Sequence, residues 1–277
     1  MVKRKNNDKN IQSLKTQPLF LRKLQSDPDI FPAIRKSSIS FYYKKGKLFE
    51  WKDGKFSTHQ KYGVKFGSKD YIGEGSVASF RFSDNFLVDY NIIKSNCKAY
   101  QKSEGIGIGD FIKNNKYTTK KDIVVLDIEI TLTESKSNID RIDILLFDTI
   151  KKVLKFVEAK DFTNKELWAS KGRKAKVFEQ IDRYKTKIEK KKDDIVEAYI
   201  SAINSYKKLF NLKLPNPESI DKQVVLFIFG FDRNQLQGRL EELIINNDAI
   251  KNQDYYYYAC GDPSKANINS LFRGKPI

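Results

Sequence analysis

The chain of 277 residues is long enough for one large domain or two small ones, each with its own hydrophobic core. Hydrophobic residues make up 40% and aromatic residues 13% of the sequence, which excludes a chain that is disordered throughout. Lysine and arginine exceed aspartate and glutamate by 52 − 35 = 17 residues, which predicts a polyanionic partner such as DNA or RNA. A general bias toward lysine is the alternative, but it does not explain the shortage of acids.

Histidine and cysteine are scarce, and this excludes several classes of site. His59 is the only histidine, so nuclease sites built on two or more histidines and histidine-rich zinc sites are ruled out. Cys97 and Cys260 are too few for a disulfide framework or a four-cysteine zinc site, and they suit a reducing compartment. No signal peptide follows the basic start, and the longest apolar run, residues 224–229, is too short to cross a bilayer. We therefore expect a cytoplasmic protein that makes no membrane contact.

The N-terminal part of the chain divides into two predicted regions. Residues 1–36 are polar and basic and contain several prolines, which predicts a basic arm, with one short helix near residues 19–24, that either binds phosphate or is simply solvated. Residues 37–103 predict a small β-rich domain, with turns at 44–47 and at Asp53-Gly54. Its aromatic residues alternate with lysines. That pattern is typical of a core, and it also suits base stacking beside phosphate contacts, so a role in substrate recognition is left open.

Two shorter features complete this part of the chain. Residues 77–82 and 86–92 predict further strands of the β-rich domain. The glycines of 105–109 lack the lysine and hydroxyl residue of a phosphate-binding loop, so we interpret this stretch as a flexible connection leading into a short helix over 110–115.

Three apolar runs, residues 124–133, 141–147 and 153–160, predict consecutive strands with acidic residues inside them. The polar stretch 134–138 predicts an antiparallel hairpin centred on Lys136, in which the numbers of facing residues sum to 272. Because a carboxylate within an apolar strand is costly to bury unless it is paired or binds a metal, we expect these acids to be functional.

Alternation along the strands places Asp143, Glu158 and Lys160 on one side of this sheet. The hairpin register puts Glu129 opposite Asp143. The next element is a helix, because Val177, Ile181, Tyr184 and Ile188 form one apolar stripe, with Gln180 one turn before Tyr184.

The ordered set of Asp143, then Glu158-Ala159-Lys160, then Gln180 and Tyr184 in a Q-x-x-x-Y motif resembles the PD-(D/E)XK nuclease superfamily, and specifically its RecB-like branch. The resemblance covers about a quarter of the chain, and the proline that precedes the first acid of the family motif is absent. It implies an α/β fold over residues 104–277, with a restriction-endonuclease-like mixed sheet flanked by helices.

The resemblance also implies an activity, the hydrolysis of DNA phosphodiester bonds in restriction, phage defence or repair. Asp143 and Glu158 would bind Mg²⁺, or Mn²⁺ as an alternative, and Lys160 would act on the attacking water. Gln180 and Tyr184 would position the substrate or the lysine. Glu129 is our candidate for a further metal ligand, and its competitors are Asp127, Glu104 and Asp110.

A basic segment precedes the Q-x-x-x-Y helix and predicts contacts with the nucleic-acid backbone, although an ordinary solvated loop is an equal alternative. Its cationic residues are Lys171, Arg173, Lys174 and Lys176. DNA is favoured over RNA as the substrate. The alternative function is a nucleic-acid-binding module that keeps a nuclease-like fold without cleavage. The oligomeric state is not predicted, and a dimer is compatible with the sequence.

Overall fold

The structure is a computed structural model, and it describes residues 7–59, 62, 77–80, 86–132, 140–170, 172–251 and 253–277, with backbone only at 77–80 and 86–89. The chain forms two compact units. Among the described residues, one unit comprises those up to 113 together with 200–214, and the other comprises those in 114–199 and 215–277. The division falls at residue 113 instead of the predicted 103, and residues 200–214 group with the N-terminal unit. The predicted α/β class is confirmed, because both units combine helices with a sheet.

The N-terminal unit contains a five-stranded antiparallel sheet with the strand order β1-β2-β3-β4-β5. Its strands are β1 (Ile30–Ile34), β2 (Ile39–Tyr43), β3 (Gly46–Lys52), β4 (Lys55–His59) and β5 (Val77–Phe80). Its helices are α1 (Asp8–Lys15), α2 (Pro18–Ser26), α3 (Phe86–Ala99) and α4 (Ser103–Asn115), the last of which continues past residue 113. The predicted tight turn at Asp53-Gly54 is confirmed, since both residues have the positive φ that a two-residue hairpin turn requires.

Aromatic side chains fill the core beneath this sheet. Phe20 packs edge-on against Phe41 and Phe49, with ring centroids 4.9 Å and 6.0 Å away, and Trp51 packs against Phe56 at 4.5 Å. All five side chains are almost completely buried. These aromatic residues therefore belong to a hydrophobic core and do not face solvent as a stacking surface.

Three predictions for this unit are wrong. The expected arm over residues 1–36 instead forms α1, α2 and β1 within the described residues, because Ile11, Leu14, Phe20, Leu24 and the residues of β1 are buried. The short helix expected near residues 19–24 is confirmed as part of α2. The expected strand over residues 86–92 is the start of α3. The expected flexible glycine connection lies inside α4, where a Cβ on Gly109 would come within 2.6 Å of Lys44 Cγ. The glycine allows α4 to approach the β2–β3 turn closely.

The second unit contains a six-stranded mixed sheet with the strand order β11-β10-β9-β8-β7-β6. Its strands are β6 (Ile123–Thr131), β7 (Arg141–Asp148), β8 (Val153–Asp161), β9 (Ser219–Phe229), β10 (Tyr256–Cys260) and β11 (Lys275–Pro276). The pairs β6–β7, β7–β8 and β10–β11 are antiparallel, whereas β8–β9 and β9–β10 are parallel. The parallel pair β8–β9 is connected through helices, as parallel strands require.

The remaining helices are α5 (Lys176–Lys190), α6 (Lys192–Phe210), α7 (Arg233–Gln235) and α8 (Ile268–Arg273). A π-helical segment, Leu236–Ile245, continues α7, and short 3₁₀ turns lie at Lys165–Leu167 and Pro263–Lys265. The predicted stripe of α5 is confirmed, since Val177, Ile181, Tyr184 and Ile188 are all buried.

The predicted β6–β7 register is confirmed for the half of the hairpin that carries the acids. Ile128 pairs with Ile144 and Ile130 pairs with Ile142, so the residue numbers sum to 272 on both sides of Glu129. An irregularity between Val125 and Asp127 shifts the register by one residue toward the other end. The predicted turn over residues 134–138 lies outside the described residues.

Candidate active site

The first pair of site residues comes from neighbouring strands. Asp143 on β7 and Glu158 on β8 are both buried, at 6% and 2% exposure. The β7–β8 ladder ends at the pair Ile144–Val157, and Asp143 and Glu158 are the next residues of the two strands. Asp143 Oδ2 accepts a hydrogen bond of 2.9 Å from the backbone N–H of Ala159. The carboxylate of Asp143 is thereby fixed against the strand that carries both other members of the motif.

Lys160 brings a buried positive charge to these two carboxylates. Its Nζ lies 2.8 Å from Glu158 Oε1 and 2.7 Å from Glu166 Oε2. Burial by itself would lower the pKa of Lys160, but the charges of Glu158 and Asp143 and the hydrogen bonds to Glu158 and Glu166 raise that pKa above its ordinary value. Lys160 is therefore held as a cation at neutral pH.

Tyr184 and Gln180 on α5 complete the group. The hydroxyl of Tyr184 donates a hydrogen bond of 2.8 Å to the carbonyl oxygen of Arg141 and accepts one from Gln180 Nε2. Burial raises the pKa of Tyr184, and the charges of Glu158 and Asp143 raise it further. The Q-x-x-x-Y pair thus ties α5 to the start of β7, two residues before Asp143.

Glu129 lies on the next strand and is paired with a cation. Its Oε2 accepts from Arg141 Nη1 at 2.9 Å, and its backbone φ is +52°, an uncommon value for a residue other than glycine. Asp127, its nearest competitor as a metal ligand, is buried and accepts a hydrogen bond of 2.9 Å from the hydroxyl of Tyr199 on α6. The structure therefore gives Asp127 a partner on α6.

The other two competitors belong to the N-terminal unit. Glu104 and Asp110 both lie on α4, and Glu104 forms an ion pair of 3.0 Å with Lys45. Both therefore lie on a helix grouped with the N-terminal unit, whereas Asp143 and Glu158 lie on the sheet of the second unit.

The donor set at this position suits a hard divalent cation. Asp143 and Glu158 offer carboxylate oxygens, the ligand type that Mg²⁺ and Mn²⁺ prefer. Within the described part of the chain, no group of three or more histidine, cysteine, aspartate or glutamate side chains has the arrangement of a metal site. A third protein ligand from Glu129 would require its carboxylate to turn away from Arg141.

The basic segment before α5 is only partly available for binding. Arg173 and Lys176 are exposed, whereas Lys174 is paired with Asp182 and lies 5.1 Å from the ring centroid of Tyr255. Burial by itself would lower the pKa of Lys174, but the hydrogen bond to Asp182 raises that pKa above its ordinary value. Lys171 lies outside the described residues. Two of the four predicted contacts, Arg173 and Lys176, therefore point into solvent.

The sequence analysis missed two residues whose contacts involve the loop after β8. Glu166 contacts Lys160 from the 3₁₀ turn that follows β8, and Asn164 caps that turn by accepting from the backbone N–H of Glu166 at 3.0 Å. The second is Arg239, whose guanidinium lies 4.2 Å from the ring centroid of Trp168. The cap at Asn164 is a local signal that predicts the turn. No local pattern predicts either long-range contact.

Comparison with protein-family models gave no match, and neither the curated proteins nor the solved structures include a significant relative of this chain. Of the described helices, none has the length and apolar character needed to span a bilayer.

Proposed function

We propose that the protein is a metal-dependent nuclease that hydrolyses phosphodiester bonds of DNA, and that its six-stranded sheet is a restriction-endonuclease-like core. One observation carries the proposal. The sheet places two carboxylates, Asp143 and Glu158, and the ammonium group of Lys160 side by side in a buried position. Burying three charges in one place is costly, and a catalytic site is a reason to retain them.

Each residue has a role that follows from its charge. Asp143 and Glu158 would hold the Mg²⁺, which would supply Lewis-acid chemistry toward water and the phosphate. Lys160 is held protonated, so it stabilises negative charge on the phosphate and does not take a proton itself. Tyr184 and Gln180 act as positioning residues, since they hold the backbone of β7 at Arg141.

The nucleic-acid partner is supported by charge. The formal net charge of +17 attracts polyanions, and Arg173 and Lys176 are exposed just before α5, which carries Gln180 and Tyr184. DNA in preference to RNA follows from the resemblance to the PD-(D/E)XK superfamily alone. The same resemblance suggests a role in restriction, phage defence or repair.

One observation favours the second candidate, a nucleic-acid-binding module that does not cleave. Glu158 is already paired with Lys160, and Asp143 already accepts from the N–H of Ala159. The two acids are thus partly compensated by the protein itself. Both candidates bind nucleic acid, so the presence or absence of metal-dependent cleavage separates them.

The test compares two buried aspartates on the same strand. Asp143→Asn removes a proposed metal ligand, whereas Asp148→Asn changes the acid at the other end of β7, which accepts from the N–H groups of Ile150 and Lys151. Linear DNA, circular DNA and RNA are incubated with each protein in Mg²⁺, in Mn²⁺ or in chelator.

We expect metal-dependent DNA cleavage by the wild type and by Asp148→Asn, and a loss of about 10²–10³-fold or more in Asp143→Asn. Cleavage of RNA and not of DNA would identify RNA as the substrate in place of DNA. Binding without any cleavage in either metal would support the non-catalytic module. Equal cleavage rates of Asp143→Asn and the wild type would show that Asp143 is not a catalytic residue and would reject the proposed active site.

A further inference from the structure

The pair formed by Arg239 and Trp168 involves the loop that follows β8, the loop in which Glu166 contacts Lys160. The guanidinium of Arg239 lies over the indole at 4.2 Å from the ring centroid, well inside the range of a cation–π interaction. Arg239 is exposed and forms no ion pair with any described residue. Its charge is therefore oriented by an aromatic surface and is not neutralised by an acid.

Trp168 is anchored to the end of β8. Its indole N–H donates a hydrogen bond of 2.9 Å to the carbonyl oxygen of Phe162, and the two rings pack at 4.7 Å. Phe162 follows Asp161, the last residue of β8, and its N–H donates to Phe229 at the end of β9. Glu166, two residues before Trp168, reaches back to Lys160. The indole is thus fixed in the same loop that contacts the proposed catalytic lysine.

Arg239 is also supported by its own segment. It lies between Gly238, whose backbone departs from helical geometry (φ −105°, ψ −105°), and Leu240, which is fully buried. Farther along, Asn247 donates a hydrogen bond of 3.0 Å to the carbonyl oxygen of Arg173 in the basic segment. Asn247 also donates to the carbonyl oxygen of Leu243, so it links the end of the π-helical segment to the backbone of the basic segment at Arg173.

A stacked guanidinium keeps its N–H donors at the edge, where they match the oxygens of a phosphate in a two-point contact. One face of the Trp168 indole is covered by Arg239, so that face is closed to a nucleobase. We propose that the Arg239–Trp168 pair binds a backbone phosphate of the nucleic-acid strand next to the scissile phosphate, and that it does so without reading the base sequence. This inference rests on the proposed nuclease function.

The test measures binding separately from cleavage. Fluorescence anisotropy follows a labelled DNA duplex without divalent metal, with Arg239→Ala, Arg239→Lys and Arg233→Ala as variants. Arg233 is an exposed arginine at the start of the same helical stretch and has no described aromatic contact, so its variant is the matched control. Circular dichroism checks that each variant is folded.

We expect Arg239→Ala to weaken binding about tenfold, because a hydrogen-bonded charge is lost, and to lower the slope of log affinity against log salt by about 0.9. The loss should be the same for AT-rich and GC-rich duplexes. Arg239→Lys should give an intermediate affinity, because it keeps the charge and loses the planar stack. Arg233→Ala should bind as the wild type does.

A second readout uses tryptophan fluorescence. The chain has two tryptophans, and Trp51 is buried in the aromatic core, so Trp168 should carry the change on DNA binding. We expect DNA to alter the emission of the wild type and not that of Trp168→Phe.

The outcomes separate the two proposals. Equal affinity of Arg239→Ala and the wild type overturns this inference whether or not the protein cleaves DNA. If Arg239→Ala binds DNA more weakly and the wild type never cleaves DNA, the proposed phosphate contact is supported and the nuclease proposal is rejected. No binding of the DNA duplex by the wild type overturns this inference, and the cleavage assay then decides the nuclease proposal separately.

Discussion

The two sheets of this protein differ in what their strands bury. In β1–β4, no described side chain is both buried and charged, and the core is built from aromatic rings. The strands β6–β8 bury eight charged side chains among their described residues: Asp127, Glu129, Asp143, Asp148, Lys155, Glu158, Lys160 and Asp161. One chain thus contains a sheet stabilised by ordinary apolar packing and another that tolerates buried charge.

The difference concerns what each sheet costs or gains in stability by its buried side chains. Apolar burial stabilises a sheet by about 25 cal/mol per Å² and needs no counter-charge. The desolvation of a buried ion pair costs more free energy than the attraction of its two charges contributes, unless the geometry of the pair is very good. The first sheet therefore provides structure, whereas the second retains groups that are unfavourable for stability alone. Four substitutions test this contrast.

The largest effect should come from Lys160→Ala. Removing the proposed catalytic cation should slow DNA cleavage about 10²–10³-fold, because negative charge on the phosphate loses its stabilising partner. Single-turnover cleavage with excess protein measures this rate. The control is Lys155→Ala, a buried lysine of the same strand that donates to the carbonyl oxygen of Phe272 and pairs with Asp221. If Lys160→Ala cleaved DNA at the wild-type rate, Lys160 would have no catalytic role and would be a structural residue like Lys155.

Phe49→Ala in β3 should lower the free energy of unfolding by about 3–5 kcal/mol, because it leaves a cavity among rings that are almost fully buried. Urea denaturation measures the change. Lys47→Ala on the same strand is the control, since Lys47 is exposed and its pair with Glu50 contributes little, about 0–1 kcal/mol. If the Phe49 variant lost no more stability than the control, the first sheet would not depend on its aromatic core.

Tyr184→Phe should lower the free energy of unfolding by about 1 kcal/mol, because the carbonyl oxygen of Arg141 loses its buried donor. The cleavage rate should fall as well, since β7 is less firmly held beside Asp143. Tyr199→Phe is the control, because it removes the donor to Asp127 in the same way. Equal cleavage rates in the two variants would argue against a positioning role for Tyr184.

The smallest effect concerns pH. Because the pKa of Lys160 is raised above its ordinary value of 10.5, its contribution to stability is complete below pH 10.5 and is lost as the pH rises through the folded pKa. The stability difference between the wild type and Lys160→Met should therefore stay constant across neutral and mildly alkaline pH and shrink at higher pH. Urea midpoints at several pH values measure it. A decline below pH 9, within the ordinary buffered range, would show that Lys160 lacks its two carboxylate partners.

Much of the second sheet could be predicted from the sequence. The β6–β7 register follows from alternation and a polar turn signal, and the pairs Ile128–Ile144 and Ile130–Ile142, on either side of Glu129, have the predicted register. The apolar stripe of α5 likewise predicted that Tyr184 is buried. Such features depend on neighbours within a few residues, or on one hairpin, and local patterns report them well.

Features that depend on distant packing were missed. Residues 86–92 are rich in apolar side chains, and a short run of this kind is ambiguous between a strand and a helix. The glycines of α4 suggested a loop because their packing against the β2–β3 turn cannot be seen locally. The contact of Glu166 with Lys160 and that of Arg239 with Trp168 likewise depend on where loops end in three dimensions.

The hydrogen bond from Ala159 N–H to Asp143 Oδ2 gives the second sheet an unusual property. The Asp143 carboxylate accepts the Ala159 N–H just beyond the last pair of the β7–β8 ladder. The acid is therefore oriented by a hydrogen bond between the two paired strands. The orientation of the Asp143 carboxylate is therefore set when the two strands pair. The deuterium uptake of the single amide at Ala159 would consequently report whether the carboxylate of Asp143 is in place.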